Sequence, residues 1–536
     1  MTNSAIKPYP IKPIADLAID AQLAAAVLRS LADYHQQLLG RRIWLACSGG
    51  RDSLALAALC VQLYQQDRLP FLPQLLHVDH GLQVDSSIWA SHVADWAAAQ
   101  QLSCTILKAQ VQGQDEQAAR QARYRVMREY INQGDVLMLA HHADDQAETV
   151  LMRLIQGAGI KGLAAMQPWR EHLHQHQSQQ GQYYALWRPW LTVTRAAISD
   201  YAKQLQLPYI DDPTNASGDN VRSGLRRDIM PKLVSYNANV IGNVARSAQL
   251  LSEAQAIVEA QAEQDLQTTA IKSLEFASVQ RVLAIDKLHD LSTPRQKQLL
   301  YYWLAQDEPL PPSKQLIDDV YALTQRQDND HQTELDWHAH LQHYRIYRFR
   351  QHLYRLSRDF VDWLASATLE HRYDLSKSLA VDIRKSRDTG YLWQLQIDLT
   401  KADIRADREL YQELIDNETS LKITPLDRLR KVQTTTMGRA QAGKKLYQTL
   451  AIPVWLRSSL VVVSAVVTDT DMSNENSADT KVEVPLLLLS PFQSWRLKSD
   501  LSSNNLADTL TLLCEACVNA LQKVRKPYAC EFIKRQ

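Results

Sequence analysis

The sequence predicts an α/β protein in which a parallel-sheet domain is followed by a mainly helical domain and a small α+β domain. Short apolar runs alternate with helical stretches up to residue 156, which is typical of a parallel sheet covered by helices. After Pro231 helical periodicity dominates, and from residue 373 to 501 Pro and Gly separate short apolar runs. We therefore expect domains at 1–235, 236–375 and 376–536.

The N-terminal domain begins with a predicted helix over residues 16–39, where apolar residues recur at helical spacing before Gly40. The alternating elements follow in chain order. Predicted strands are 43–47, 73–78, 104–108 and 135–140, and predicted helices are 54–65, 87–100, 114–132 and 145–156. This Rossmann-like order places ligands at the carboxyl ends of the strands.

The remaining segments are assigned by composition and periodicity. A Gln- and His-rich stretch at 172–182 is interpreted as a surface insertion, because irregular spacing without Cys or carboxylates disfavours a metal site. Helical patterns at 239–269 and 295–325 support the second domain. In the third domain we predict a disordered polar loop at 468–479 and a helical tail at 508–524.

Composition excludes several classes of protein. The 536 residues are 45% apolar and 22% charged, and Lys plus Arg balance Asp plus Glu at 59 each. A net charge of zero says nothing about a polyanionic partner, so only local clusters can. The N-terminus has no signal-peptide pattern, no run of eighteen apolar residues occurs, and six cysteines imply no disulfide framework. We expect a soluble cytoplasmic protein with no membrane partner.

A small polar loop follows the first predicted strand and consists of Ser48, Gly49, Gly50, Arg51, Asp52 and Ser53. Between a strand and a helix, free backbone N–H groups and the helix dipole favour an anion, and glycines let phosphates approach. The alternative is a plain turn with Ser53 as helix cap. The Walker motif is excluded because its Lys and spacer are absent. The string resembles the SGGxDS signature of PP-loop ATP pyrophosphatases, which implies that these residues bind ATP.

His77 begins a second polar string, HVDHGL at 77–82, at the end of the second predicted strand. Its position favours contact with the adenine or ribose side of ATP. The alternative is a buried, hydrogen-bonded histidine beside a turn glycine.

A third string, HHADDQAET at 141–149, follows the strand at 135–140. Asp145 and Glu148 are three residues apart and share one face of the next helix. Carboxylate oxygens are the ligands that Mg²⁺ prefers, so these two residues and Asp52 form a predicted Mg²⁺ site. The alternative is that Asp144 or Asp145 caps the helix and complements its dipole.

These strings resemble, in order and spacing, elements of the tRNA(Ile)-lysidine synthetase family of PP-loop enzymes. Further matching strings are EQAARQARY at 116–124, GAGIKGL at 157–163 with Gln156 where Arg is usual, RPWL at 188–191, and a block from Asp212 to Pro231 containing Arg222, Arg226 and Arg227. Ser223 stands in that block where the family has Asn, so a polar contact is kept and an amide donor is lost. The resemblance extends to about residue 235 and returns at 443–457.

The resemblance implies an enzyme that joins the ε-amine of lysine to C2 of the wobble cytidine of the CAU-anticodon isoleucine tRNA. ATP first adenylates the cytidine O2, and the amine then displaces AMP. The implied cofactors are ATP and Mg²⁺, and the implied partners are L-lysine and the tRNA. The expected catalytic side chains are carboxylates for Mg²⁺ or the lysine ammonium and guanidiniums for phosphate charge: Asp52, Asp145, Glu148, Arg123, Arg222 and Arg226. A homodimer is left open.

Residues 422–457 are rich in Lys and Arg, with Asp427 as the single acidic residue. Such a segment suits contact with an RNA backbone, and interspersed aromatic residues suit stacking on a base. A solvated basic face is the alternative. The stretch at 443–457 is similar to the tRNA-binding C-terminal domain of the family. It supplies the predicted tRNA-binding residues, Lys444, Lys445, Trp455 and Arg457.

Three alternative functions are compatible with parts of the sequence. A tRNA thiolase on the same fold needs a sulfur-handling cysteine near the loop, and Cys47 lies inside the predicted strand. The isolated pair Cys514 and Cys517 is interpreted as two buried thiols on one helix face. A non-catalytic tRNA-binding protein is disfavoured by the intact ATP-site strings. A glutamine-dependent amidating synthetase would need an amidotransferase, of which the sequence has no signature.

Overall fold

The structure, a computed structural model, describes residues 6–7, 9–14, 17–81, 85–111, 116–174, 182–211, 221–275, 280–327, 333–366, 371–374, 380–385, 391–396, 420–468 and 481–498. The chain divides into two compact units, Met1–Val258 and Glu259–Gln536. Several predictions fall outside the described residues: the family block at 212–220, the polar loop after Thr468, and the tail with Cys514 and Cys517.

The first unit confirms the predicted alternation of strands and helices. Its strands are β1 (Ile43–Ala46), β2 (Gln74–Asp79), β3 (Cys104–Lys108), β4 (Val136–Met138), β5 (Trp169–His174) and β6 (Gln182–Trp187). Its helices are α1 (Ala21–Asp33), α2 (His35–Leu38), α3 (Arg51–Gln65), α4 (Ser86–Ala99), α5 (Glu116–Tyr130), α6 (Ala143–Ile155), α7 (Ile160–Leu163), α8 (Arg195–Gln204), α9 (Val221–Gly224), a π-helix (Leu225–Ile229) and α10 (Met230–Tyr236). Helix α11 (Val240–Thr269) continues past residue 258.

The six strands form one sheet in the order β3-β2-β1-β4-β6-β5. Neighbouring strands are parallel except β5 and β6, which are antiparallel. Side chains of the central strand β1 alternate between two cores, because successive residues of a strand face opposite sides. Leu45 packs with α3 on one face, and Trp44 packs with residues of α5 on the other. The parallel strands therefore end at one common edge, between two layers of helices.

The segment predicted as a surface insertion joins two antiparallel strands. β5 and β6 pair from Trp169 opposite Trp187 to His174 opposite Gln182. The expected insertion at 172–182 is therefore shorter, since its first residues belong to an edge strand. The sequence did not indicate this strand, because an edge strand tolerates polar residues that also suit a loop.

The second unit is built largely from antiparallel strands. They are β7 (Gln280–Ala284), β8 (Glu334–His338), β9 (His343–Phe349), β10 (His352–Ser357), β11 (His371–Asp374), β12 (Ala380–Lys385), β13 (Leu392–Gln396), β14 (Ser420–Pro425), β15 (Val461–Thr468), β16 (Lys481–Leu489) and β17 (Ser494–Arg496). The helices are α12 (Ile285–His289), α13 (Thr293–Ala305), α14 (Lys314–Thr324), α15 (Arg358–Ala365) and α16 (Gly443–Thr449), with short 3₁₀ turns at Lys272–Leu274 and Val454–Ser459.

The region expected to be mainly helical contains the expected helices and also a four-stranded antiparallel sheet, β7-β10-β9-β8. The sequence did not predict this sheet. β10 is buried at every position after His352, and β9 at most positions, so neither strand shows the alternation that marks a half-exposed strand.

The α+β character of the C-terminal part is confirmed by a five-stranded sheet, β11-β14-β15-β16-β17, and a ribbon of β12 and β13. One hydrophobic core contains Phe360 and Trp363 of α15 together with Leu446 of α16. Residues on the two sides of position 375 therefore pack in the same core. None of the described helices is long and apolar enough to span a membrane.

Candidate active site

The phosphate loop is shorter than the sequence indicated. Helix α3 begins at Arg51 with Gly50 as its N-cap, so Asp52 and Ser53 lie in the first helical turn. The connection from β1 is only residues 47–50. Because the first N–H groups of a helix have no partner within it, they are available to an anion at this edge of the sheet.

Gly49 lets the backbone make this tight turn. Its φ is +79°, and a Cβ atom there would lie 2.6 Å from Ile210 Cδ1 and 2.7 Å from Val93 Cγ2. Ile210 also donates its backbone N–H to the Gly49 carbonyl at 2.9 Å. A side chain at this position is therefore strained by the backbone conformation and would displace Ile210 and Val93.

Two serines hold the turn in place. Ser53 Oγ donates to the Gly50 carbonyl at 3.0 Å and lies 3.2 Å from Ser48 Oγ. Gly50 N donates to Ser48 Oγ at 3.3 Å. Ser53 is buried and Ser48 is exposed, so Ser53 fixes the backbone while Ser48 can reach a ligand.

Cys47 lies in front of this turn and is fully buried. Burial raises the pKa of its thiol, against the hydrogen bonds from Gly49 and Ser53, which lower it. Since the thiolate is the reactive form, this cysteine is unsuited to sulfur transfer. Cys47 therefore does not support the thiolase alternative.

His77 is buried on β2, and its Nδ1 lies 2.9 Å from the Cys47 carbonyl oxygen. Burial lowers its pKa, and the charge of Arg123 lowers it further. A neutral imidazole with a proton on Nδ1 donates to that carbonyl and ties β2 to the start of the turn. The described contacts thus favour support of the turn, and the predicted contact with ATP stays a prediction.

His142 is the centre of the site, which the sequence did not indicate. It is the N-cap of α6 and forms a capping box with Asp145: His142 N donates to Asp145 Oδ2 at 3.2 Å, and Asp145 N donates to His142 Nδ1 at 3.4 Å. The other ring nitrogen, Nε2, lies 3.5 Å from Asp145 Oδ2 and 3.6 Å from Asp52 Oδ2. The same imidazole therefore joins the first turns of α3 and α6.

The charges of this cluster are mutually dependent. Burial raises the pKa of Asp52, but the hydrogen bond and charge of His142 and the neighbouring Arg51 outweigh it and lower the pKa to about 2. For His142, burial lowers the pKa, and the carboxylates of Asp52, Asp145 and Asp144 raise it overall. Asp52 therefore remains ionised at neutral pH.

Glu148 is buried and is held by two arginines. Arg222 Nε donates to it at 2.6 Å, and Arg226 donates from Nε at 2.7 Å and from Nη2 at 3.0 Å. Arg222 also reaches Asp145 Oδ1 at 2.9 Å. Burial raises the pKa of Glu148, but the hydrogen bond from Arg226 and the charge of Arg222 lower it overall. Both of its oxygens are thus engaged by guanidinium groups.

Most predicted catalytic residues meet at this edge of the sheet. Arg51 donates to Asp52 Oδ1 at 3.0 Å. Arg123 is half-buried on α5, and its charge acts on His77. Asp144, one proposed cap of α6, accepts instead from the backbone N of Arg195 at 2.8 Å, at the start of α8. The capping alternative therefore also holds: Asp145 completes the capping box of α6, and Asp144 binds the next helix.

The predicted tRNA-binding residues of the second unit divide into two groups. Lys444 and Lys445 are exposed on α16. Trp455 is buried, with its ring centroid 4.7 Å from those of Tyr347 and Tyr354. Arg457 lies 5.1 Å from the Tyr447 ring and donates to the Ile452 carbonyl. The Trp455 ring packs in an aromatic core, and its stacking on a base stays a prediction.

Comparisons with known proteins agree with this geometry. The PP-loop domain model matches residues 23–233, and the TilS substrate binding domain model matches residues 283–354. A tRNA(Ile)-lysidine synthase from Psychrobacter sp. (strain PRwf-1) is 38% identical, covering 90% of this chain and 95% of the relative. That of Pseudomonas aeruginosa is 38% identical over 50% of this chain and 60% of its own, and that of Acinetobacter baylyi 31% over 63% and 69%.

The parallel sheet, the turn after β1 and the matched domain model define the class: this is an ATP-using PP-loop enzyme. The similarity to the Psychrobacter protein continues through the second unit, beyond the PP-loop domain. The chain belongs to the tRNA(Ile)-lysidine synthase family.

Proposed function

We propose that this chain attaches lysine to C2 of the wobble cytidine in the isoleucine tRNA with a CAU anticodon, forming lysidine at the expense of ATP. One observation carries the proposal. Asp52, in the first turn after the phosphate loop, and Asp145, in the first turn of α6, both lie within 3.6 Å of His142 Nε2. An ATP bound at the loop and a cation bound by the carboxylates would therefore be neighbours.

The reaction needs two bond exchanges. In the first, the cytidine O2 attacks the α-phosphorus of ATP, and the bond to pyrophosphate breaks. In the second, a neutral amine of lysine attacks C2, the C2–O bond breaks with AMP as leaving group, and the amine loses a proton. The N–H groups at the start of α3 and the exposed Ser48 hydroxyl suit the phosphate charge in the first step.

The carboxylates suit a bound ammonium group. Asp52, with its pKa of about 2, interacts as a fixed negative charge and is a poor proton acceptor. Asp145 is half-buried beside it and shares His142. We assign recognition of a cation, either the lysine ammonium or Mg²⁺, to this pair, and orientation of the pair to His142.

Mg²⁺ fits part of the predicted donor set. Asp52 and Asp145 present ionisable oxygens around one imidazole, whereas both oxygens of Glu148 are bound by Arg222 and Arg226. In the part of the chain that the structure describes, no three His, Cys, Asp or Glu side chains form a ready metal site. We therefore propose that Asp52 and Asp145 hold Mg²⁺ together with phosphate oxygens, where the ion would neutralise triphosphate charge. Glu148 instead positions the two arginines.

The test is incorporation of labelled lysine into unmodified tRNA transcripts in the presence of ATP and Mg²⁺. The CAU isoleucine transcript is compared with the CAU methionine transcript. Label in the isoleucine transcript alone, with one AMP released per lysine, is the expected result. Absence of label with AMP release in the presence of a sulfur donor would replace lysidine formation by thiolation. A cytoplasmic location and a homodimer remain predictions, and sedimentation of the purified chain tests the latter.

A further inference from the structure

Arg188 is a buried cation whose hydrogen-bond partners are all uncharged. It follows β6 directly and is 8% exposed. Its Nε atom donates to His141 Nδ1 at 3.2 Å, and its Nη1 atom donates to the Gln167 carbonyl at 2.8 Å. Among the described residues it has no carboxylate partner. Buried guanidinium groups are normally paired with an acid, so this arrangement requires an explanation.

The surroundings of Arg188 are positive. Burial, together with the charges of Arg170 and Arg120, lowers its pKa to about 10, against Tyr124 and Tyr184, which raise it. Both of these arginines are exposed, and neither forms an ion pair within the described part of the chain. The Arg120 guanidinium lies over the Tyr124 ring of the same helix, 5.3 Å from the ring centre. Among the described residues, the three arginines, which we call the arginine cluster, thus have no carboxylate to balance their charge.

The arginine cluster differs from the arginines of the active site. Arg222 and Arg226 are already paired with Glu148 and Asp145, and an anion would have to displace those contacts. Among the described residues the arginine cluster has no carboxylate competitor, so an incoming anion does not have to displace one.

Position in the sheet separates the arginine cluster from the phosphate loop. β6 neighbours β4 on the side away from β1, so Arg188 is two strands from the loop, or about 10 Å. His141, which Arg188 contacts, is the chain neighbour of His142. The arginine cluster therefore lies on the opposite side of the carboxylates from the loop that serves the ATP phosphates.

We propose that the arginine cluster, Arg188 with Arg120 and Arg170, binds a backbone phosphate of the tRNA anticodon loop next to the wobble nucleotide. This inference rests on the proposed function. A cytidine that reaches the carboxylates from the side opposite ATP brings its own phosphodiester to β6. There the planar fork of Arg188 can bind phosphate oxygens while the exposed arginines add charge.

The test measures binding of an anticodon stem-loop RNA by the full chain over a range of KCl concentrations, without ATP or lysine. The RNA is used unmodified and with one neutral methylphosphonate beside the wobble nucleotide. We expect Arg188→Gln to weaken binding about tenfold and to reduce the salt slope by about 0.7. The methylphosphonate should weaken binding to the wild-type chain by the same factor, and it should cause no further loss of affinity in Arg188→Gln. The control is Arg42→Gln, which removes an exposed charge at the amino end of β1 and should change neither the RNA affinity nor the salt slope.

The proposal would be overturned if the losses of affinity caused by Arg188→Gln and by the methylphosphonate were additive. It would also be overturned if a folded Arg188→Gln variant kept the salt slope of the wild type. If Arg188→Gln weakens binding of ATP alone and leaves RNA binding intact, the phosphate belongs to the nucleotide and the proposal also fails. If Arg188→Gln does not fold, the double variant Arg120→Ala with Arg170→Ala, at two exposed positions, replaces it in the same comparison of unmodified and methylphosphonate RNA. The binding assay contains no lysine and so does not depend on lysine transfer. A chain that binds the RNA as expected here but incorporates no lysine in the labelled-lysine assay would contradict the proposed function and leave this proposal standing.

Discussion

The edge of the parallel sheet and the basic segment at 422–457 handle charge in different ways. At the sheet edge, Glu148 is buried and pairs with Arg222 and Arg226 at distances below 3 Å. In the basic segment, Lys444 and Lys445 stand exposed on a short helix. Water screens exposed charges strongly and buried charges weakly. One side chain at the sheet edge can therefore decide activity, whereas the basic segment acts through the sum of small contributions.

Asp145 gives the largest expected effect. Asp145→Asn removes the negative charge that His142 and Arg222 share, so it should lower lysine incorporation by at least about 100-fold, with the melting temperature little changed. Asp200→Asn, at an exposed position of α8, is the control and should be fully active. Near-normal turnover of Asp145→Asn in the labelled-lysine assay would refute its catalytic role.

Trp455 tests whether the basic segment contains a base-stacking residue. Trp455→Ala should lower the free energy of unfolding by about 3–5 kcal/mol, because its ring packs against Tyr347 and Tyr354 in the core. Trp455→Phe keeps an aromatic ring and should leave tRNA affinity within about twofold. Urea unfolding and RNA binding measure the two quantities. A tenfold weaker tRNA affinity in a Trp455→Phe variant of normal stability would support stacking of Trp455 on a base.

Gly49 and Gly40 form a matched pair for the phosphate loop. Both have positive φ, but a Cβ atom would clash at Gly49 and meets nothing within 4 Å at Gly40. Gly40→Ala should cost about 1 kcal/mol of unfolding free energy from backbone strain alone. Gly49→Ala should cost about 2–4 kcal/mol, since close contacts with Ile210 and Val93 add to that strain. Equal losses in the two variants would mean that the turn has room for a side chain.

Lys444 and Lys445 give the smallest expected effect. Replacing each lysine by alanine should weaken tRNA binding a few-fold and reduce the salt slope by about 0.7–0.9 for each phosphate that the lysine neutralises. Lys203→Ala removes an exposed charge from α8 and is the control. Unchanged slopes in both variants would leave α16 as an ordinary solvated helix.

The order of the motifs predicted that they lie at one edge of the sheet, because parallel strands bring every strand end to the same edge. Local strings do not fix helix starts, so Asp52 and Ser53 proved to be helical. His142 was missed as the centre, since a histidine before a helix looks the same whether it caps one helix or joins two. The burial of Trp455 could not be predicted, because charge clustering does not tell which neighbouring side chains are buried. Arg188 matched a family string, but an unpaired charge is visible only when its neighbours in space are known.

The π-helix at Leu225–Ile229 directly follows α9, which contains Arg222, and itself contains Arg226; together the two arginines hold Glu148. Deleting one residue between them, without changing either arginine, would swing the second guanidinium by about 100° around the helix axis. The measurement is lysine incorporation by this deletion variant, and the control is a variant that lacks one residue just after Tyr236. At this point we expect activity to depend on the number of residues as well as on their kind, so that an insertion or deletion would abolish activity while every functional side chain remained.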